Sequence, residues 1–289
     1  MKLLERKNYP LASERLPEIE LNTLFAQAVL NLKVEGSVYV NDIGNPETFY
    51  VSHPYGMSLL FGTTEDKEFN SRLKDYLLDQ SRSRKKREWL QVHPASWNDI
   101  LCDLVNGRVT DYTEYSEEME ESAILMRVRQ CRPSHLIRWE RVNFEFRNLP
   151  GGDNVEVDRG YRLSQIDPRS YDLISGSVIP ANFWKDKETF LSSGIGFILT
   201  EDENMVSASF SSFFEGNELE LGVETSEPYQ GKGFGRFVCA ELINYCLRND
   251  LEPVWSCNRM NIGSYCLARS LGFEETLCLP YYELVREAG

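Results

Sequence analysis

The residues with the clearest chemical potential run from Glu218 to Leu247, ELELGVETSEPYQGKGFGRFVCAELINYCL. Three glycines fall within five residues, Gly231, Gly233 and Gly235. From Phe237 the apolar residues Phe237, Val238, Leu242, Ile243 and Leu247 recur at helical spacing. A helix start carries unpaired backbone N–H groups and partial positive charge. Glycines there remove side chains that would block a phosphate from reaching those amides. A plain tight turn is the rival reading. The other phosphate patterns fail, since no Gly-x-Gly-x-x-Gly and no closing Gly-Lys-Ser/Thr occurs. The second feature is a pair of carboxylates two residues apart, Glu218 and Glu220, on one side of the preceding segment. A carboxylate placed at a reacting group can take its proton.

The elements that must position these groups are legible around them. Glu218 to Val223 alternates acidic and apolar residues, the pattern of a half-buried strand. Strand, glycine turn and helix thus follow one another. Downstream, Val254 to Asn258 reads as a short strand after Pro253. Next comes the stretch Asn261 to Phe273, ending Leu271-Gly272-Phe273 with Gly272 as a helix C-cap.

The form Gln-x-x-Gly-x-Gly, as Gln230, Gly233 and Gly235, resembles the pyrophosphate-binding signature of the GCN5-related N-acetyltransferases (GNAT). The strand, the Asn, the helix and the closing Leu-Gly-Phe resemble the second half of that family's cofactor site. The match is strong over about 70 residues and extends more weakly back to about residue 165. The Trp-x-Cys-x-x-x-Asn-x-x-Ser form with an extra N-terminal half is similar to a bacterial subgroup that includes zwittermicin A resistance-type acetyltransferases.

The resemblance implies an α+β GNAT fold at the C-terminus, a mixed, mostly antiparallel central sheet flanked by helices. It implies acetyl-CoA as co-substrate and transfer of the acetyl group to an amine of a small-molecule acceptor by direct attack in a ternary complex. The strand carrying Val223 would splay from the one carrying Trp255, and the pantetheine arm would enter the gap. The backbone of Val223 and Thr225 would pair with pantetheine, and the Val223 amide would face the oxyanion. Gln230, Gly231, Lys232, Gly233, Phe234, Gly235 and Arg236 would form the pyrophosphate turn, with Asn258, Asn261 and Ser264 at the second cofactor segment. Ser170 to Ser175 and Asn182 to Leu191 read as helices that would wall the acceptor site.

For the proton, residues 151–289 contain no histidine, so the base is a carboxylate, a tyrosine or a water they hold. Glu220 is favoured; the alternative is that Glu218 and Glu220 both face solvent. Many relatives carry a Tyr seven residues after the Asn as general acid, where this chain has Ala268. Tyr265, one helical turn earlier, is the candidate acid, with a core or surface role open beside it.

Composition sets outer bounds. Of the 289 residues 42% are hydrophobic, and no apolar run of about 18 residues could span a membrane. The charged first twenty residues lack the apolar core of a signal peptide. Seven cysteines without a Cys-x-x-Cys indicate reduced thiols and a cytoplasmic setting, with Cys239, Cys246, Cys257 and Cys266 as small core residues. The net charge of −14 argues against a nucleic-acid partner. Residues 151–289 hold 11 basic and 22 acidic side chains, a field that favours a cationic acceptor such as an amine; solubility alone is the other explanation.

Residues 1–148 read as an additional α+β domain, and 149–289 as the acetyltransferase domain, divided at the turn Asn148 to Asn154. The first has no cofactor motif, and a degenerate second copy of the fold is one option for it. Its expected elements are a helix from Glu18 to Leu32 and strands Val38–Val40, Thr48–Val51, Met57–Phe61 and Trp89–Val92. A helix from Phe69 to Leu78, another between Ser96 and Gly107, and an alternating strand Arg141–Phe146 complete them. The basic run Ser81 to Arg87 reads as a solvated connection, and Ser116 to Glu121 as an acidic loop or exposed helix. His53, His93 and His135 lack partners at metal-ligand spacing, so no metal is expected. A second overall reading keeps the fold in a non-enzymatic binding or regulatory protein.

Overall fold

The computed structural model describes residues 1–82, 84, 86–112, 136–150 and 160–284. His135, the acidic stretch Ser116–Glu121, much of the turn Asn148–Asn154 and parts of the basic run lie outside the described residues. The chain divides into two compact units. One comprises Met1–Arg141, Asn258–Met260 and Cys278–Gly289; the other comprises Val142–Cys257 and Asn261–Leu277.

In the first unit β1 (Lys2–Leu3), β2 (Ser37–Val40), β3 (Thr48–Ser52), β4 (Met57–Gly62) and β5 (Glu88–His93) are neighbours in that order. β4 and β5 run parallel and the rest of these pairs antiparallel. Its helices among the described residues are α1 (Pro10–Ser13), α2 (Leu24–Leu30), α3 (Lys67–Leu77) and α4 (Trp97–Leu104). α3 begins at Asp66, whose Oδ1 accepts from the Phe69 amide at 2.8 Å. Its Phe69, Leu73 and Leu77 pack with Trp97 and Leu101 of α4 on Tyr50, Leu60, Leu90 and Val92 of the strands. The helix expected from Glu18 to Leu32 forms only from Leu24. Asn22 Oδ1 accepts from the Leu24 amide at 3.0 Å, and this local bond competes with the turn that would extend the helix upstream.

The strands continue as β6 (Val109–Asp111), β7 (Leu136–Phe146), β8 (Tyr161–Gln165), β9 (Gly196–Glu201), β10 (Asn204–Glu215), β11 (Glu218–Thr225), β12 (Glu252–Asn258) and β13 (Phe273–Leu284). In the second unit β12, β11, β10, β9 and β8 follow one another. β8 to β11 are antiparallel, whereas β11 and β12 are parallel, so the sheet is mixed. α5 (Pro168–Tyr171), α6 (Lys187–Ser193), α7 (Phe234–Arg248) and α8 (Ile262–Ser270) flank it.

Two expected helices of this unit are shorter than their patterns suggested. The first is the single turn α5, opened by a capping box between Asp167 and Ser170. The second breaks into a 3₁₀ turn, Pro180–Asn182, and then α6, because Asp186 accepts from the Thr189 amide at 2.7 Å and restarts the helix. α7 begins at Phe234, and its buried stripe is Phe234, Val238, Cys239, Leu242, Ile243 and Cys246, while Leu247 is 50% exposed. Burial pushes the Cys239 and Cys246 thiols up to about 12, as inert core groups. Cys257 is also buried, but Cys266 is exposed, against its expected core place. No described helix is long and apolar enough to cross a membrane.

Candidate active site

The parallel pairing of β11 with β12 covers only Glu218–Glu220 against Glu252–Val254. Beyond Glu220 the two strands are no longer register partners. Which backbone groups face that opened edge follows from strand alternation. The carbonyls of Glu220 and Glu224 accept from Ser212 Oγ (3.0 Å) and Ser207 Oγ (3.2 Å), both on β10. The Asn217 carbonyl instead accepts from the Glu252 amide at 2.7 Å. Even-numbered positions therefore turn their backbone toward β10 and odd-numbered ones toward β12. The amide and carbonyl of Val223 thus lie on the edge where pairing has ended.

The side chains alternate too. Leu219, Leu221 and Val223 face α7, with Val223 packed on the cluster of Phe234, Val238, Leu199 and Val206. Glu218, Glu220, Gly222 and Glu224 share the other face. Opposite Glu220 the β10 register shifts between Ser211 and Phe213, which places a bulge at that level.

Glu220 is 5% exposed, and its Oε1 accepts from Ser256 Oγ at 2.7 Å. Ser256 stands on β12 two residues past the last paired one, so this bond links the strands just where the backbones part. Glu218 is half-buried, and burial first, then the charges of Glu252 and Glu220, raise its carboxyl above the usual range. Glu224 Oε2 accepts from the Ser177 and Val178 amides at 2.9 and 2.7 Å and lies 3.2 Å from Ser177 Oγ. Sequence reading missed Ser256 and Glu224. Both sit beside residues it singled out, but only the alternation and the register reveal their partners.

The glycine turn follows β11. Gly231 and Gly233 hold left-handed φ angles of 74° and 84°, and Gly233 is the N-cap of α7. A Cβ on Gly231 would meet nothing within 4 Å. Among the described residues no protein acceptor takes the amides of Gly231, Lys232, Gly233, Phe234 or Gly235. Open space, unclaimed donors and a helix N-terminus together fit a pyrophosphate.

The side chains around the turn have structural partners. Gln230 Nε2 donates to the Thr225 carbonyl at 3.1 Å, and Phe234 is buried in the core. A Cβ on Gly235 would come within 3.1 Å of Thr225 Oγ1, so α7 lies close on β11 there. Lys232 Nζ lies 5.5 Å from the Tyr229 ring centroid. Arg236 Nε donates to the Ser270 carbonyl at 3.4 Å.

In the second cofactor segment Asn261 caps α8, its Oδ1 accepting from the Ser264 amide at 3.0 Å. Ser264 Oγ accepts from Trp255 Nε1 at 3.2 Å. Asn258 Oδ1 accepts from the Met260 amide at 2.9 Å. Tyr265 Oη donates to Glu275 Oε2 at 2.9 Å, and its ring meets Phe144 edge-on at 5.5 Å between centroids. Among the described residues, no group of three or more His, Cys, Asp or Glu is placed to hold a metal ion.

A parallel strand pair whose register ends early, an amide cradle at a helix start and a buried glutamate beside that end make up the candidate site. Among known proteins, the GNAT acetyltransferase family matches residues 15–282. The chain belongs to that family. It is an acetyl-CoA-dependent N-acetyltransferase. The uncharacterized N-acetyltransferase YdfB of Bacillus subtilis (strain 168) is 23% identical over 252 residues, 86% of each chain. A GCN5-related N-acetyltransferase-like protein from Streptococcus suis 89/1591 shares the fold at a TM-score of 0.66 and 19% identity, over 96% of this chain and 99% of that one. A GNAT-family acetyltransferase from Colwellia psychrerythraea gives a TM-score of 0.56 at 11% identity, over 98% of both chains. The family match is not confined to residues 149–289, and both structural neighbours extend over nearly the whole chain.

Proposed function

We propose that this GNAT acetyltransferase acetylates an amine of a small-molecule acceptor by direct attack in a ternary complex. Glu220 is the base, Ser256 holds its carboxylate, and the Val223 amide faces the developing oxyanion. The supporting observation is the register of β11 and β12. It ends at Glu220, and strand alternation then turns the next odd amide but one toward the open edge.

Acetyl-CoA supplies the activated thioester. The amides of Gly231 to Gly235 bind its pyrophosphate, and the backbone of Val223 pairs with the pantetheine arm. An amine attacks only when neutral, and Glu220 removes its proton directly or through one water. The Ser256 hydroxyl fixes the orientation of that carboxylate. The Val223 N–H donates to the carbonyl oxygen as charge builds there. The thiol of coenzyme A has an ordinary thiol pKa, so its thiolate can leave without a strong acid. The acidic face of Glu218 and Glu220 suits a cationic, polar acceptor, in keeping with the resemblance to the zwittermicin A resistance-type subgroup.

Calorimetric titration with acetyl-CoA, with CoA and NADH as controls, tests the cofactor assignment, and Gly233→Asp tests its location. The aspartate charge opposes the pyrophosphate, and because Gly233 holds a left-handed φ of 84° the substitution also strains the turn, so circular dichroism and thermal unfolding of the variant accompany the titration. The variant should lose at least about a hundredfold in acetyl-CoA affinity. Unchanged affinity would remove the glycine turn from the site.

A further inference from the structure

The three glutamates that follow Asn217 on the even face of β11 differ in what holds them, and Glu224 is tied to a separate piece of chain. Its carboxylate accepts from two consecutive amides, Ser177 and Val178. The residue before them, Gly176, has φ of 133°, and a Cβ there would fall 2.5 Å from Glu224 Cδ. The turn therefore lies directly against this one side chain. Asn182 Nδ2 donates to the Ser177 carbonyl at 2.9 Å, which closes the turn from its other side.

From that anchor the chain runs across the same face of the sheet. The Phe183 ring meets Phe213 at 5.4 Å and Phe210 at 6.0 Å between centroids. Phe213 and Phe210 are the register partners of Glu220 and Gly222. Trp184 Nε1 donates to the Ser211 carbonyl at 2.7 Å. Residues 176–184 thus form a strap over the positions of Glu220, Gly222 and Glu224. Aromatic packing fixes one end, and the Glu224 carboxylate fixes the other.

We infer that Glu224 is a positioning residue that sets the acceptor wall, holding the strap where the amine must be oriented beside Glu220. The inference rests on the transfer reading above. With its carboxylate engaged by the turn, Glu224 serves as an anchor and Glu220 alone as the base. Releasing the anchor frees the Gly176–Val178 end while Phe183 and Trp184 stay seated, so the fold survives and the wall shifts.

The test compares Glu224→Ala, Glu224→Gln and Gly176→Ala in the full chain. Glutamine keeps an oxygen that accepts from both amides; the added methyl of Gly176→Ala pushes the strap off an intact glutamate. Amide exchange at Ser177 and Val178 should speed up at least about tenfold in Glu224→Ala and Gly176→Ala, and much less in Glu224→Gln. Acetyl-CoA affinity should stay within about twofold in all three. For whichever amine of a primary-amine panel the wild type turns over best, KM should rise at least about tenfold in the same two variants, with Glu224→Gln restoring it. Combining Glu224→Ala with Gly176→Ala should add little, since both act through one displacement.

Unchanged exchange, a parallel loss of acetyl-CoA affinity, an unmoved amine KM or full additivity would each overturn the inference. Failure of the wild type to acetylate any amine, with exchange behaving as expected, would instead count against the acceptor class and leave the anchor established.

Discussion

Glu88 and Glu283 of the first unit are 5% and 4% exposed, and Glu220 of the second is 5% exposed, so burial ranks them alike. Their surroundings differ. Glu88 accepts from the phenols of both Tyr50 and Tyr76, and Glu283 from Trp139 Nε1 at 2.9 Å with Arg87 Nε 3.2 Å away. Tyr50 lies in the core of strands and helices, and Tyr76 packs against it. Burial, then the Glu88 charge, hold both phenols far above their ordinary pKa, so they stay proton donors. Glu220 accepts from the small hydroxyl of Ser256 at the level where the β11–β12 pairing ends. A buried carboxylate enclosed by large aromatic donors stabilises a core. One that meets a small donor at an open backbone edge is the base under the mechanism we propose.

The sharpest way to break this comparison is the same substitution on each side. Glu220→Gln keeps an oxygen for Ser256 and removes only the basicity. It should lower kcat by about 10²- to 10⁴-fold with acetyl-CoA affinity unchanged. Glu88→Gln leaves one of two phenols facing an amide N–H₂, and should cost about 1–3 kcal/mol of stability with kcat nearly unaffected. Turnover across the pH range and thermal unfolding of each variant read the two effects. A Glu220 variant that loses only stability, or a Glu88 variant that loses only turnover, would reverse the assignment.

Strand, turn and helix around Gly233 were legible because each carries a local rule: alternation, glycine φ and the helical period. So was the splay, though only through resemblance. Hidden from sequence were the partners. Glu218, Glu220 and Glu224 occupy even-numbered positions, and nothing local separates a half-buried acid from the base and the anchor we propose. That separation comes from Ser256, 36 residues onward, and from Ser177, 47 residues back. Helix ends were misjudged at Asn22 and Asp186, where one side chain redirects the backbone. Cys266 was misplaced because an apolar run does not say which side of a short helix faces water.

Glu218 offers a finer probe of the same face. Its carboxyl is raised above its ordinary value, chiefly by burial and then by Glu252 and Glu220. The folded state thus binds this proton more tightly than the unfolded chain. Its contribution to stability is fully present below the unfolded pKa and is lost as pH rises through the folded one. Glu218→Gln removes that loss. Its Tm should exceed the wild-type value near neutral pH, and the gap should close as pH falls to about 4. Thermal unfolding over that range checks it, and a gap that widens on acidification would show the carboxylate to be stabilised in the fold.

Tyr265 carries the smallest expected effect, because it resembles Tyr76 of the first unit more than it resembles Ser256. Its hydroxyl donates to a carboxylate, Glu275, and its ring is wedged against Phe144. A proton already committed to Glu275 is poorly placed to be handed to a departing thiolate, and that thiolate is stable enough to leave without it. Tyr265→Phe preserves the ring contact and deletes only the hydroxyl. It should change kcat by less than about threefold, with the alkaline limb of the pH profile unmoved. A loss of about a hundredfold together with disappearance of that limb would make Tyr265 the general acid, and Glu275 the group that orients it. The measurement therefore decides whether a phenol engaged by a carboxylate near the cofactor segment behaves as the core phenols do, or whether its place in the fold overrides its partner.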